Sequence, residues 1–143
     1  MLVPETPYEK ADDILLEFRP GAGGSESCIF VQDISQMYEA FASAQGWKCS
    51  TSSAIKEAGV SKGYKQLDLR VQGEGCHKMM KCEAGVHKVI RVPETEAKGR
   101  LHSSTISLVV MPVVPFTFEV DPKDIKYQFT RSSGPGGQGV NKI

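Results

Sequence analysis

Between Gly134 and Gly139 the chain places four glycines and a proline in six consecutive positions, Gly134-Pro135-Gly136-Gly137-Gln138-Gly139. Glycine gives up the most backbone entropy on ordering, and proline lacks the amide hydrogen that a ladder needs, so neither a helix interior nor a strand interior is open to this stretch. It must be an exposed loop. Its one polar side chain, Gln138, stands between Gly137 and Gly139, so no Cβ on either side obstructs approach to its amide or its backbone N–H. A single unobstructed amide suits presentation to a crowded reaction centre. The plainer alternative is a glycine-rich linker or surface turn.

Upstream, hydrophobic patterning supplies the body of the fold. Ile14-Leu15-Leu16-Glu17-Phe18 is a short apolar run stopped by Pro20-Gly21, hence a largely buried strand. Gly21-Ala22-Gly23-Gly24-Ser25-Glu26 follows, and a glycine-rich turn between a strand and a helix can cradle phosphate. It has neither nucleotide-binding spelling, G-x-x-x-x-G-K-[ST] or G-x-G-x-x-G, and Glu26 would repel phosphate, so a nucleotide site is not expected. From Ser25 to Gln45, Phe30, Ile34, Met37, Tyr38 and Phe41 share one face of a predicted helix, with Ser25 as its cap and Gly46 at its end. That stripe reads as core rather than a cofactor site.

Further strands are predicted over Trp47–Ser52, Tyr64–Gln72, Val86–Val92 and Leu101–Met111, with Leu67, Leu69 and Val71 on one face of the second. Residues 56–62 read as a loop, Gly73-Glu74-Gly75 as a turn, and Cys76–Glu83 as a short helix placing Met79 and Met80 inward. Pro93–Arg100 joins the last two strands and is longer than a tight turn requires, the kind of polar loop where recognition is housed. Pro112 and Pro115 punctuate a linker, Asp121–Asp124 makes a turn, and Ile125–Thr130 alternates as a strand leading to the Gln138 loop. The expected class is α+β: an antiparallel or mixed sheet of about five strands with the long helix packed on one face. A boundary near Val120 divides the chain into domains 1–119 and 120–143, the latter the start of a second small α/β domain.

Seventeen basic side chains balance seventeen acidic ones, so any nucleic-acid contact must be local rather than a product of bulk charge. Lys78, Lys81, Lys88, Arg91, Lys98 and Arg100 outnumber Glu83, Glu94 and Glu96 and could provide it. No apolar run approaches the ~20 residues of a membrane span, the nearest being Ile106–Val114 with Ser107 and Pro112 inside it. Cys28, Cys49, Cys76 and Cys82 lack a disulfide framework and read as reduced intracellular thiols. Cys76, His77, Cys82 and His87 are zinc-binding types, but C-x5-C is not a zinc spacing, so neither metal nor cofactor is expected. No targeting segment is visible.

Arg131-Ser132-Ser133-Gly134-x-Gly136-Gly137-Gln138-x-Val140-Asn141 resembles the catalytic loop of bacterial-type class I peptide chain release factors, and the resemblance extends over essentially the whole chain. Glu17–Glu26 is similar to the family's strand and glycine-rich helix entry, Gly85–Glu96 to the segment carrying its codon-reading tripeptide, and Gly99–Ser104 to the stretch that follows. The resemblance implies a translation termination factor, with 1–119 as codon-recognition domain and 120–143 opening the peptidyl-tRNA hydrolysis domain. A Pro-x-Thr tripeptide marks family members that read UAA and UAG, and Pro93-Glu94-Thr95 has that spelling. By resemblance Thr95 bonds the first base, helped by the Gly23 backbone and the Glu26 carboxylate. His102 stacks between the second and third bases and Ser103 reaches an edge. The chemistry suits those roles, because unpaired bases offer edges to hydroxyls and faces to rings.

Gln138 has no useful pKa and cannot serve as a general base. Its implied role is positional: the backbone N–H stabilises the developing oxyanion or leaving hydroxyl, the side chain orients water, and Gly136 and Gly137 permit the loop geometry. The implied partners are the ribosome at its decoding and peptidyl-transferase centres, an mRNA stop codon, peptidyl-tRNA, and a glutamine methyltransferase acting on Gln138. The chain stops five residues past Gln138, so these 143 residues are expected to lack hydrolytic activity by themselves.

The sequence also departs from the family pattern. Ile90 stands where a third-base-reading glutamine is usual, Ser103 replaces threonine but keeps the hydroxyl, and Glu94 puts a carboxylate in the tripeptide's middle. These departures leave the compartment open between cytoplasm and an organellar matrix, with a lean to the mitochondrion. Pro135 replaces the more usual alanine, and Gly139-Val140-Asn141-Lys142 is closer to codon-independent ribosome-rescue hydrolases. Two alternatives therefore stand: a rescue hydrolase, and an RNA- or ribosome-binding module without catalysis.

Overall fold

The computed structural model describes residues 11–59, 62–94, 96–114 and 120–129. Strand β1 (Asp13–Pro20) leads through a glycine turn into helix α1 (Ser25–Ala44). A hairpin of β2 (Lys48–Lys56) and β3 (Tyr64–Gln72) follows, then a short helix α2 (Cys76–Met80) that tightens into a 3-10 turn at Lys81–Glu83. A second hairpin, β4 (Gly85–Arg91) and β5 (His102–Pro112), completes the sheet, whose order is β2-β3-β1-β5-β4. Every pairing is antiparallel. The expected α+β class with one long helix on a five-stranded sheet holds.

β1 is central because alternate residues bury on one face while both edges pair: Ile14, Leu16 and Phe18 are fully buried. Leu67, Leu69 and Val71 from β3 and Ile106 and Leu108 from β5 extend that face, and α1 covers it with Val31, Ile34, Tyr38 and Ala42. Burying each such side chain contributes about 1.5–3 kcal/mol, enough for one helix to hold the sheet. The helix face is rotated from the expected one. Met37 and Phe41 lie exposed beside Met79 along an apolar groove, and only Met80 of the methionine pair turns inward. Phe41 instead meets Trp47 edge-on at 5.7 Å.

Three other expectations need correction. Ser25 does not cap α1; Gly24 occupies the cap position at φ 58°, and the Ser27 hydroxyl donates to its carbonyl at 2.6 Å. β2 runs on from the expected end at Ser52 to Lys56, the first residue of the expected loop, because an edge strand needs only its β3 partner and not apolar alternation. Residues 125–129 form no strand and pair with neither edge of the sheet, and Tyr127 and Phe129 stand exposed. The turn at Asp121–Asp124 does form, its Asp121 side chain accepting from the Lys123 N–H.

The open face of the sheet carries cross-strand ion pairs. Asp13 on β1 accepts from Arg70 Nε at 2.9 Å and Gln72 Nε2 at 3.0 Å on β3, and the Arg70 hydrogen bond holds its carboxyl below the usual carboxylate range. A carboxyl depressed in the folded state adds stability above its unfolded pKa of about 3.9 and loses it as pH falls through the folded value. Asp13→Asn should therefore lower the urea midpoint at pH 7 by roughly a few tenths of a molar, and the gap from wild type should narrow progressively as pH falls below about 3.9. An unchanged gap at pH 3 would show that the charge is not responsible.

Candidate functional site

Two segments distant in sequence are brought to one end of the sheet, and the glycines explain how. Past the end of β1, the Gly21 N–H donates to the Thr105 carbonyl and the Thr105 N–H to the Ala22 carbonyl, each at 2.8 Å, so the turn continues the β1–β5 ladder. The Thr105 hydroxyl also accepts from the Ala22 N–H at 3.0 Å. A Cβ at Gly21 would lie 2.6 Å from that hydroxyl oxygen, and one at Gly23, whose φ is +134°, would run into the Ser104 side chain. Only glycine lets the first turn of α1 sit this close to β5.

The β4–β5 loop supplies the opposite wall. Arg91 and His102 face each other at its base in register, and Ile90 pairs with Ser103 one step back. The Glu96 N–H donates to the Pro93 carbonyl at 3.0 Å. The Glu96 carboxylate in turn accepts from the Lys98 N–H at 2.8 Å and from Arg100 Nη2 at 3.2 Å, and pairs with His102 Nε2 at 2.7 Å. Chiefly through the Lys98 N–H, then His102, its carboxyl is held below the usual range.

Long-range ion pairs fix this loop to α1. Arg91 Nε donates to Glu26 Oε1, and Arg91 Nη1 donates to Asp33 Oδ2 at 2.7 Å. Lys62, on the β2–β3 connection, reaches Glu94 at 2.7 Å, a contact that raises its pKa. The Gly63 N–H beside it donates to the Gln32 side chain of α1 at 2.9 Å.

The product is a depression of about 270 Å³ lined by Gly23, Glu26, Pro93, Glu96, His102, Ser103 and Ser104. Five residues expected at a recognition site, Gly23, Glu26, Pro93, His102 and Ser103, meet there from two separate stretches of sequence. His102 is exposed, with 47% of its side chain accessible. Glu94 is outside the lining and is neutralised by Lys62. Thr95, Gly136, Gly137 and Gln138 lie outside the described residues. Glu96 and Ser104, and the supports Asp33 and Lys62, were not singled out by sequence reasoning as site residues, and Arg91, expected as a local nucleic-acid contact, is bonded to Glu26 and Asp33 instead. Their partners are set by the fold and leave no local pattern.

Glu26 is 4% exposed, and its second carboxylate oxygen, Oε2, is buried with no hydrogen-bond partner among the described residues, as is Arg91 Nη2. A buried carboxylate lone pair of this kind is an acceptor lacking a donor. With hydroxyls at Ser103 and Ser104 and a ring at His102, the depression suits a small planar group that carries N–H donors. An unpaired nucleobase fits that description. Among the described residues no three His, Cys, Asp or Glu side chains converge as a metal site, and no helix is long and apolar enough to cross a membrane.

Residues 1–108 match the family model of the PCRF domain. Peptide chain release factor 1 of Sulfurovum sp. (strain NBC37-1) is 44% identical over 138 residues, covering 94% of this chain and 38% of its own. The protein of the same name from Aquifex aeolicus (strain VF5) is 43% identical over 141 residues, covering 98% and 38%. Among solved structures, RF2 of Thermus thermophilus superposes with a TM-score of 0.74 at 32% identity, over 96% of this chain and 39% of that one. The chain thus spans under two fifths of the length of these relatives.

Proposed function

This chain belongs to the PCRF-domain family, among the class I peptide chain release factors, and on that premise we propose that it reads stop codons on the ribosome for a translation termination factor. The observation that carries the reading is the depression in which Gly23, Glu26, Pro93, His102 and Ser103 converge, with the Glu96 N–H donating to the Pro93 carbonyl in its wall. In this reading Thr95, the Gly23 backbone and the Glu26 carboxylate take the first base. His102 stacks between the second and third bases, and Ser103 takes an edge of the third. The Pro93-Glu94-Thr95 spelling supports UAA and UAG as the codons. Ile90, directly across from Ser103 and 65% exposed, gives the third base an apolar neighbour where an amide would bond it.

The hydrolytic half of the reading rests on sequence. Gly136, Gly137 and Gln138 belong to a second unit beginning near residue 120, where Gln138 presents its N–H and amide to peptidyl-tRNA at the peptidyl-transferase centre. Gln138 is also the residue a glutamine methyltransferase would modify. The relatives are bacterial, which supports a cytoplasmic setting, and nothing in them favours the mitochondrial matrix.

Peptide release by the full-length protein from ribosomes programmed with UAA, UAG, UGA or a sense codon tests the proposal. Release at UAA and UAG should exceed release at UGA and at the sense codon by at least about tenfold, as expected of a site that reads bases by hydrogen bonds. Equal release at all four would overturn codon reading and favour a rescue hydrolase. Ribosome binding with no release at any codon would leave a binding module.

A further inference from the structure

We infer that Glu96 is a positioning residue for base reading: its carboxylate, anchored by the Lys98 N–H and Arg100, locks the His102 ring in the orientation that meets the codon. The inference rests on the codon-reading proposal and adds to it a residue outside the tripeptide.

The geometry makes Glu96 the hub of its loop. Its own N–H closes the turn back to Pro93, one carboxylate oxygen takes the Lys98 N–H, and the other takes both Arg100 and His102. Only 9% of its side chain is accessible although the loop around it is exposed, so the carboxylate is enclosed by the groups it binds. An ionised carboxylate accepts and cannot donate, so the 2.7 Å contact requires a proton on His102 Nε2 and leaves Nδ1 for solvent or RNA. A ring fastened at one nitrogen keeps its plane while its face stays open, as stacking on a base demands.

No other described charge substitutes for Glu96. Arg100 already shares the same oxygen, Arg91 opposite His102 is committed to Glu26 and Asp33, and Glu26 faces the depression from α1. Truncating Glu96 therefore frees the ring while leaving the sheet beneath untouched.

Two measurements test this. In the 143-residue chain, the His102 Nε2–H proton should appear as a downfield, exchange-protected NMR signal that disappears in Glu96→Ala, with His77 and His87 as internal references. Absence of that signal in the wild type would overturn the inference. In the full-length protein, Glu96→Ala should raise the half-saturating concentration for release at UAA by about tenfold while changing the saturated rate less than about twofold. Glu96→Gln, which retains a carbonyl acceptor for Nε2–H, should recover most of the loss. Combined with His102→Ala, Glu96→Ala should add nothing, because a residue acting through His102 has no effect once the ring is gone. Additive losses in the double variant would also overturn it. Wild-type release that ignores the codon would overturn the underlying codon-reading proposal instead, and the NMR signal would then still be present.

Discussion

Arg91→Ala is expected to lower the free energy of unfolding by about 2–4 kcal/mol, although Arg91 lies outside the apolar core. The guanidinium is one third exposed, but the Glu26 carboxylate it neutralises through Oε1 is 95% buried, and Glu26 Oε2 has no hydrogen-bond partner among the described residues. Removing one member of such a pair strands the other charge, which costs about 3–5 kcal/mol when both are buried and less when one reaches solvent. The same change unties β4 from Asp33, so the base of the 93–101 loop loses its side-chain tie to α1. Urea unfolding measures the loss, and Glu26→Gln supplies the diagnostic. If the stranded charge is the cause, Arg91→Ala with Glu26→Gln should be more stable than Arg91→Ala alone. Arg91→Lys should fall between, since a point-charge ammonium cannot fork to two carboxylates. An Arg91→Ala midpoint indistinguishable from wild type would show that the network does not hold the loop.

That network also marks where sequence patterning stops. β3 was legible to its last residue because Leu67, Leu69 and Val71 alternate and both ends are punctuated by glycine. α1 was legible as a helix, but not which face buries, because Met37 and Phe41 are as apolar as Val31 and Ala42. The choice is made by the surface of β1, β3 and β5 beneath it, which only the folded sheet presents. Gly23, Glu26, Pro93, His102 and Ser103 could be picked out because each sits in a recognisable stretch. Glu96 could not, since its role comes from three donors that a loop folds around it. Asp33 and Lys62 meet Arg91 and Glu94 across more than thirty residues, at contacts no spacing rule encodes. Over 125–129, the described part of the strand expected at Ile125–Thr130, no strand forms: alternation creates a candidate strand, but only pairing makes one, and this segment pairs with neither edge of the sheet.

The second large effect is expected at Gly23, and comparison with its neighbour shows why. Gly23 and Gly24 both have positive φ, +134° and +58°, yet a Cβ at Gly24 would meet nothing within 4 Å. Gly24→Ala should therefore cost only the strain of a backbone at φ 58° and ψ −138° that favours glycine, about 1–3 kcal/mol, with no clash added to it. At Gly23 the backbone value is one that L residues rarely adopt, and the added methyl would overlap the side chain of buried Ser104 on a central strand. Strain of about 1–3 kcal/mol and overpacking of similar size then combine, so Gly23→Ala should lose about 2–5 kcal/mol. Ser104→Gly in that background removes the hydroxyl and Cβ but leaves the Ser104 Cα 3.1 Å from the new methyl, so it should restore only part of the loss. Equal costs at Gly23 and Gly24 would sink this account. The functional consequence is separable from stability, because Gly23 and Ser104 both line the depression and set how closely Glu26 approaches His102. On the codon-reading proposal, the full-length Gly23→Ala variant, at a temperature where it is still folded, should show a raised half-saturating concentration for release at UAA, since forcing α1 away from β5 widens the depression.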